Sequence, residues 1–154
     1  MYGDSVDLLM LTLTSEYALR ALIYLAQHAD AWPIPGRQIA ERAEIPPKYL
    51  SKILGDLVRF RVLDSSPGKT GGFRLRREAQ VTMLYEVLAP FEQFDRRRCP
   101  FGNKACSDDD PCLAHRRWKQ VVDTERRFLR ETSIHEVAVR ERRSRRNGSK
   151  RKGS

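Results

Sequence analysis

The 154-residue chain contains few cysteines and no long hydrophobic run. Its three cysteines cannot all pair with one another, which argues against a disulfide-stabilised scaffold and favours a reducing, cytoplasmic location. Because no run of 18 apolar residues occurs, the sequence predicts no helix that spans a membrane. Residues 1–13 include Asp4 and Asp7 but no basic residue, a composition that is atypical of a secretion signal.

The sequence also lacks the motifs of common enzymes. No nucleophile–base pair and no cofactor-binding loop can be recognised in it. The segment Pro67–Thr70 reads PGKT, but a phosphate-binding loop needs a glycine five positions before Gly68, where this chain has Leu63. We therefore predict a protein that is not an enzyme, with no catalytic residues and no small-molecule substrate.

The net charge of +9 is concentrated at the C-terminus. Residues 140–154 contain eight basic residues and one acid, Glu141, which leaves about +2 for the rest of the chain. Because this segment has almost no apolar residues, we predict a disordered basic tail. The tail either attracts phosphates without sequence preference or only keeps the protein in solution. It therefore does not by itself indicate a DNA-binding protein, and that prediction depends on the other residues.

Apolar periodicity predicts a helical N-terminal half. A first helix is predicted over residues 14–29, with Thr14 as its N-cap. A short helix around Ile39, a turn at Ile45–Pro47 and a second helix follow. The second helix has an apolar face made of Leu50, Ile53, Leu54, Leu57 and Val58. This order is typical of a helix-turn-helix DNA-binding unit, although an ordinary helical hairpin would give the same pattern.

The segment after this unit predicts a β-hairpin. Two short apolar stretches, Val62–Leu63 and Phe73–Leu75, flank a glycine-rich loop that cannot be helical. A hairpin at this point is the wing of a winged helix, so the predicted fold class is mainly α with a small β-hairpin wing. Double-stranded DNA is the predicted partner, contacted by the outer face of the second helix and by the wing. The predicted base contacts are Lys48, Ser51 and Lys52, and the predicted backbone contacts are Tyr49, Lys69 and Arg74.

All three cysteines and a histidine lie within 17 residues, at Cys99, Cys106, Cys112 and His115. Thiolates and imidazoles grouped in a polar loop are typical of zinc or iron sites, and the spacing alone favours zinc held by three cysteines and the histidine. A short helix over residues 82–91 is predicted before this loop. The arginines at 96–98 would favour the thiolate form of Cys99.

A long helix is predicted after the cysteine loop. Asp110–Pro111 is a typical helix start, which would place Cys112 and His115 on one face of the first turn, and the helix runs to about Glu131. Its apolar stripe predicts burial against a second copy of the chain, or against the chain's own N-terminal helix. The predicted dimerisation residues are Trp118, Val122, Phe128 and Leu129.

The chain resembles the winged-helix iron–sulfur regulators of the Rrf-two family from about Met10 to Val139. The resemblance rests on LTSEYALRALIYLA, on IAERAEIPPKYLSKILGDLVRFRVLDSS, on the GGFRL wing, and on CLAHRRWK followed by FLRETSIHEVA. It implies a homodimer on a palindromic operator, with a 2Fe–2S or 4Fe–4S cluster held by the three cysteines. The fourth ligand would be His115, which we favour, or Glu16 from the other subunit.

Two departures from the family pattern concern the cluster and the wing. The first two cysteines are separated by six residues instead of the usual five, and Pro67 replaces the arginine that often precedes a wing glycine. The expected organisation is an N-terminal extension (1–9), a DNA-binding domain (10–91), a cluster loop (92–111), a dimerisation helix with its following segment (112–139) and the tail (140–154). The alternative is a zinc-stabilised DNA-binding or adaptor protein without sensing.

Overall fold

The computed structural model describes residues 11–94, 99–101 and 107–139. In chain order its elements are α1 (Leu13–Gln27), a 3-10 turn (Ala29–Ala31), α2 (Gly36–Arg42), α3 (Pro47–Arg59), β1 (Leu63–Ser66), β2 (Gly72–Leu75), α4 (Leu84–Leu88) and α5 (His115–Glu131). Over these residues the arrangement confirms the predicted fold class, mainly helical with a small β-hairpin and a long C-terminal helix. The predicted extension (1–9), the arginines at 96–98, Cys106 and the basic tail (140–154) lie outside the described residues.

Helix α1 lies at the centre of the described structure. Its inward face is formed by Ala18, Ala21, Leu22 and Leu25, which recur at the spacing of one side of a helix and are fully buried. α1 contacts α2, α3, α4 and β2. The two alanines leave room for close approach of these neighbours, so the core forms around a single helix.

The ends of α1 differ from the predicted ends. Thr14 lies inside the helix, and Thr12 is the N-cap, with its Oγ accepting a hydrogen bond from a first-turn N–H at 3.3 Å. The helix ends at Gln27 instead of residue 29. Trp32 Nε1 donates to the carbonyl of Leu25 at 2.8 Å, so a side chain from outside the helix satisfies one of its last carbonyls.

Helices α2 and α3 form the predicted helix-turn-helix. They pack against each other and against α1. The turn between them passes through Glu44, whose φ of 56° lies in the left-handed region, and then buries Ile45. Pro47 stands in the first turn of α3, where its missing N–H costs nothing. The buried face of α3 consists of Leu50, Ile53, Leu54 and Leu57, with Val58 half-buried beside it.

The wing is fixed to the chain between α1 and α2. β1 and β2 pair antiparallel, with Ser66 opposite Gly72. Ile34 adds to this pairing, because its N–H donates to the Phe73 carbonyl (2.9 Å) and its carbonyl accepts from the Phe73 N–H (2.8 Å). Gly72 has a φ of 155°, and a Cβ at this position would lie 2.3 Å from the Ile34 backbone. Glycine is therefore required where the hairpin crosses this segment.

Helix α4 is shorter than the helix predicted over residues 82–91, since the backbone before it pairs with the segment after α5. The N–H of Leu84 donates to the carbonyl of Thr132, and the N–H of Ile134 donates to the carbonyl of Thr82, both at 2.9 Å. Ile134 is fully buried. The chain thus returns to the core after α5, and residues 134–139 are again helical.

Helix α5 begins at His115, so the predicted start at Asp110–Pro111 is wrong and Cys112 lies in the turn before the helix. Leu129 is the one residue of α5 that is buried, and it belongs to the chain's own core. The side chain is thus packed within one subunit, and its role in dimerisation stays a prediction. Across the described ranges, no helix combines the length and the apolar composition that crossing a bilayer requires.

The Glu92 carboxylate connects the segment after α4 to the start of α1. Its Oε1 accepts hydrogen bonds from the Thr12 N–H (2.8 Å), the Thr12 hydroxyl (3.0 Å) and the Ser15 hydroxyl (2.6 Å). Ser15 is fully buried, so its hydroxyl needs a partner within the protein. A carboxylate is also favoured by the partial positive charge at a helix N-terminus.

We expect Glu92→Ala to lower the free energy of unfolding by about 2–3 kcal/mol, because hydrogen bonds to a charged group are lost and the buried Ser15 hydroxyl loses its acceptor. Urea denaturation followed by circular dichroism measures this change. The control is Gln93→Ala, at the exposed neighbouring position, which should leave the midpoint unchanged. Equal midpoints for the two variants would show that the Glu92 contacts do not stabilise the fold.

Candidate metal centre and nucleic-acid interface

Cys99 and Cys112 lie together, although 13 positions separate them in the chain. Their Sγ atoms are 3.3 Å apart. Cys99 is 4% exposed, whereas Cys112 is half-buried. Cys106, the third predicted ligand, lies outside the described residues. Within the described ranges, no group of three or more His, Cys, Asp or Glu side chains is placed to hold a metal ion.

His115 stands immediately after this thiol pair and is oriented by an aspartate. Its backbone N–H donates to the Cys112 carbonyl at 3.0 Å, and its Nε2 is 2.8 Å from Oδ1 of Asp108. Lys119 Nζ donates to both oxygens of Asp108, at 3.0 and 2.9 Å. The hydrogen bonds from Lys119 and from His115 hold the pKa of Asp108 below its usual value, so this carboxylate remains charged.

Glu16, the other predicted fourth ligand, lies in the first turn of α1. It is half-buried, and its backbone N–H donates to the Thr12 carbonyl at 3.0 Å. This is the same helix end that Glu92 binds through its carboxylate. The two candidates for a fourth ligand therefore lie on different elements, His115 at the start of α5 and Glu16 in the first turn of α1. Among the described residues, neither forms a metal-binding group with Cys99 and Cys112.

The donor set of the thiol pair and His115 suits a soft or borderline metal. Sulfur and imidazole ligands are those of zinc and of iron–sulfur clusters, whereas magnesium and calcium require oxygen ligands. The approach of the two sulfurs to 3.3 Å brings two such donors together. The described residues are compatible with either an iron–sulfur cluster or a zinc ion.

The outer face of α3 carries the polar residues predicted to read DNA. Lys48, Ser51 and Lys52 are exposed, on the side opposite the buried leucines. Tyr49 is 62% exposed, and its ring centroid lies 6.4 Å from that of Tyr17 on α1. These four residues share the N-terminal half of α3, the part of the second helix that contacts base edges in helix-turn-helix proteins.

The two predicted contacts of the wing differ in their surroundings. Lys69 is exposed in the loop between the strands. Arg74 lies 3.6 Å from the Asp64 carboxylate, which also has Arg76 at 3.5 Å. Ion pairs as exposed as these contribute little to stability. Replacing Asp64 by a phosphate as the partner of Arg74 would therefore cost little free energy.

A shallow groove of about 250 Å³ lies between the helix-turn-helix and the wing, and its lining includes a basic residue that sequence reasoning missed. Arg37 is exposed in the first turn of α2, on the same groove as Ser51. The first helix of a helix-turn-helix crosses the DNA backbone, so a basic residue at its start was a usable signal. The lining consists of Gly36, Arg37, Pro47, Leu50, Ser51, Leu54 and Phe73.

The stripe predicted for dimerisation is divided by the structure. Leu129 faces the core, whereas Phe128 is 55% exposed. Trp118 and Val122 are half-buried, and the Trp118 ring meets Phe101 edge-to-face with centroids 5.6 Å apart. A partly open apolar stripe therefore remains on α5 after the intramolecular contacts are made.

Residues 11–140 match the sequence profile of a known family, Rrf2, described as "Iron-dependent Transcriptional regulator". The chain belongs to the Rrf2 family. Rrf2 relatives include the "HTH-type transcriptional regulator IscR" of Photorhabdus laumondii, which is 32% identical over 82% of this chain and 77% of its own length. The protein of the same name from Escherichia coli O1:K1 is 30% identical over 82% of this chain and 78% of its own length. The protein is thus a DNA-binding transcriptional regulator and not an enzyme.

Solved structures show the same Rrf2 fold. "CymR (YrzC) the Global Cysteine Regulator of B. subtilis" aligns with a TM-score of 0.73 at 19% identity, over 85% of this chain and 97% of that chain. "T. potens IscR" aligns with a TM-score of 0.68 at 21% identity, over 84% of this chain and 85% of that chain. These matches support the winged-helix architecture independently of the sequence motifs.

Proposed function

We propose that this Rrf2 protein is a cytoplasmic homodimer that binds a palindromic operator under the control of an iron–sulfur cluster. Cys99, Cys106, Cys112 and His115 would hold the cluster, as the family resemblance implies. When bound, such a cluster is a cofactor whose oxidation state and integrity respond to redox conditions, nitric oxide or iron supply. The other parts of the proposed function, dimerisation and operator binding, depend on residues of the chain itself.

The observation that carries the proposal is the 3.3 Å approach of the Cys99 and Cys112 sulfurs. A cysteine is usually a small buried hydrophobe, and two such residues in a polar loop gain little from contact with each other. Two cysteine sulfurs that meet in a polar loop are instead typical of a shared ligand set. The family description as iron-dependent favours iron over zinc.

His115 is preferred to Glu16 as the fourth ligand because its surroundings resemble those of a ligating histidine. Such a histidine usually has its second ring nitrogen hydrogen-bonded to a carboxylate, and Asp108 lies 2.8 Å from Nε2. Lys119 in turn fixes Asp108. Glu16 stands in the first turn of α1, next to the residues that Glu92 binds.

The loop is connected to the DNA-binding elements through its start. Glu92 binds the N-terminus of α1, and the carbonyl of Phe94 accepts a hydrogen bond from Arg126 on α5 at 2.6 Å. α1 packs directly on α3. A rearrangement of the loop would therefore be transmitted to both α3 and α5. It would regulate DNA binding if the two arrangements of the loop belong to states with different affinity for DNA.

We expect replacement of Cys99, Cys106 or Cys112 by alanine to abolish the visible absorption of protein purified without oxygen, because each supplies a cluster ligand. Iron and acid-labile sulfide are quantified on the same samples. Ser107→Ala, in the same loop, is the control and should retain full cluster content.

The same measurement separates the alternatives. A colourless protein that contains zinc and no sulfide would support the zinc-stabilised DNA-binding protein instead. His115→Ala and Glu16→Ala are compared directly, and a loss confined to the Glu16 variant would reassign the fourth ligand to that acid. A cysteine variant that keeps all its iron and sulfide would remove that cysteine from the ligand set.

For the DNA interface, we expect Ser51→Ala and Lys52→Ala to change sequence preference, since each base contact contributes about 1–3 kcal/mol of discrimination, roughly 5- to 150-fold. Lys69→Ala should weaken all sites alike and reduce the salt slope by about 0.9. The operator is first selected from a random duplex library, and affinities are then measured by fluorescence anisotropy at several salt concentrations.

Deletion of residues 140–154 serves as the comparison for non-specific attraction. It should lower binding to scrambled DNA and flatten the salt dependence, while the preference for the operator remains. If the deletion erased operator preference and the α3 variants had no effect, the winged helix would not be the reading element.

For the dimer, we expect Phe128→Asp to give folded monomers, because it places a charge on the exposed part of the α5 stripe. Leu129→Asp should instead unfold the subunit, since that side chain is in the core. Light scattering and circular dichroism distinguish the two results. Arg127→Gln changes the charge by the same amount at a neighbouring exposed position and should remain dimeric. A folded wild-type monomer at micromolar concentration would contradict the proposal.

A further inference from the structure

The Cys99 and Cys112 thiols have a geometry that suits direct reaction with each other. Their sulfurs are 3.3 Å apart, about 1.3 Å more than the length of a disulfide bond. Cys99 is buried and Cys112 is half-buried, so Cys112 is the more exposed residue of the pair and Cys99 the better protected one. This combination of an accessible thiol and an adjacent protected thiol is typical of a dithiol that oxidises in two steps.

We propose that Cys99 and Cys112 form an intramolecular disulfide when the site holds no metal, through exchange with a low-molecular-weight disulfide. The proposal does not depend on whether the site binds iron or zinc when it is loaded. Its regulatory consequence rests on the proposed function, since the same two sulfurs are proposed there as ligands. The modification is therefore a second, metal-independent redox state of the loop.

The exchange is balanced without any further reactant. The Cys112 thiolate attacks one sulfur of the small disulfide, which forms a mixed disulfide and releases one small thiolate. The Cys99 thiolate then attacks Cys112 Sγ, which forms the Cys99–Cys112 bond and releases the second small thiolate. The protein loses two protons and two electrons, and the small disulfide is reduced to two thiols.

The order of the two steps follows from exposure. Cys112 is half-buried in the turn before α5 and is more exposed than Cys99, so it is the residue of the pair that meets a small disulfide first. Cys99 is 4% exposed and cannot meet a bulky disulfide first, yet it needs only a short displacement to reach Cys112. The mixed disulfide on Cys112 should therefore be short-lived in the unaltered protein.

Formation of this bond prevents loading of the site. A thiolate is the metal ligand, and a disulfide sulfur has no thiolate to offer. Two of the proposed ligands are withdrawn at once, so oxidised protein should bind metal more than about 100-fold more weakly, beyond the range for loss of an outer-shell partner. Reduction of the bond restores the site.

The test uses the full-length protein freed of metal, fully reduced, and then exposed to oxidised glutathione without oxygen. We expect a mass decrease of about 2 Da, one remaining titratable thiol, and a peptide that joins Cys99 to Cys112. Cys106→Ser should still form the bond, whereas Cys99→Ser should accumulate a glutathione adduct on Cys112. A disulfide that contains Cys106 in the unaltered protein, or no disulfide at all, would overturn the proposal.

Zinc uptake measures the consequence and keeps the two proposals separate. Reduced and oxidised protein are titrated with Zn²⁺ against a chromogenic chelator, and only the reduced form should compete for the ion. Equal zinc uptake by both forms would show that the bond does not block the site. If the mapped disulfide forms but anaerobic protein contains no iron and sulfide, the cluster proposal fails and the dithiol stands. If the cluster is present and no such disulfide forms, the dithiol proposal fails alone.

Discussion

Burial of one face of α1 is the constraint on which the remaining architecture depends. Ala18, Ala21, Leu22 and Leu25 are fully excluded from water, and the helix that bears them contacts α2, α3, α4 and the wing strand β2. Hydrophobic burial of this kind supplies most of the free energy that orders a small domain. Through its contacts, α1 therefore positions α3, the wing and α4 relative to each other. A displacement of α1 cannot leave the DNA-binding surface unchanged.

Charged residues on these elements influence phosphate binding in two ways. Exposed basic residues lie on α3, α2 and the wing, where they would attract phosphates, and the sequence carries eight more basic residues at 140–154. Acidic residues limit the attraction locally, as Asp64 does between Arg74 and Arg76. Since such exposed pairs are weak, they oppose a well-placed phosphate only slightly. In the proposed mode of DNA binding, selectivity would depend on the uncharged and basic groups at the start of α3.

The sequence predicts those parts of the protein that depend on local pattern. The helix-turn-helix and the wing were predictable because apolar spacing, Pro47 and the glycines determine local structure. The start of α5 was predicted wrongly, since a strong local signal at Asp110–Pro111 does not specify the turn that places Cys112 beside Cys99. The Glu92 and Asp108 contacts were missed for the same reason: they join residues that no local pattern relates.

The sequence of the cysteine loop has no apolar periodicity, so burial alone does not predict its order. One end is fixed through Glu92 to α1, and the other continues through Cys112 into α5. When a ligand organises such a segment, its binding free energy becomes folding free energy for the segment. A metal bound to the thiol pair and a disulfide within that pair would order the same residues in different ways. Because one end is joined through Glu92 to α1 and the other leads through Cys112 into α5, the two proposed bonds at Cys99 and Cys112 would give the regulator more than two states.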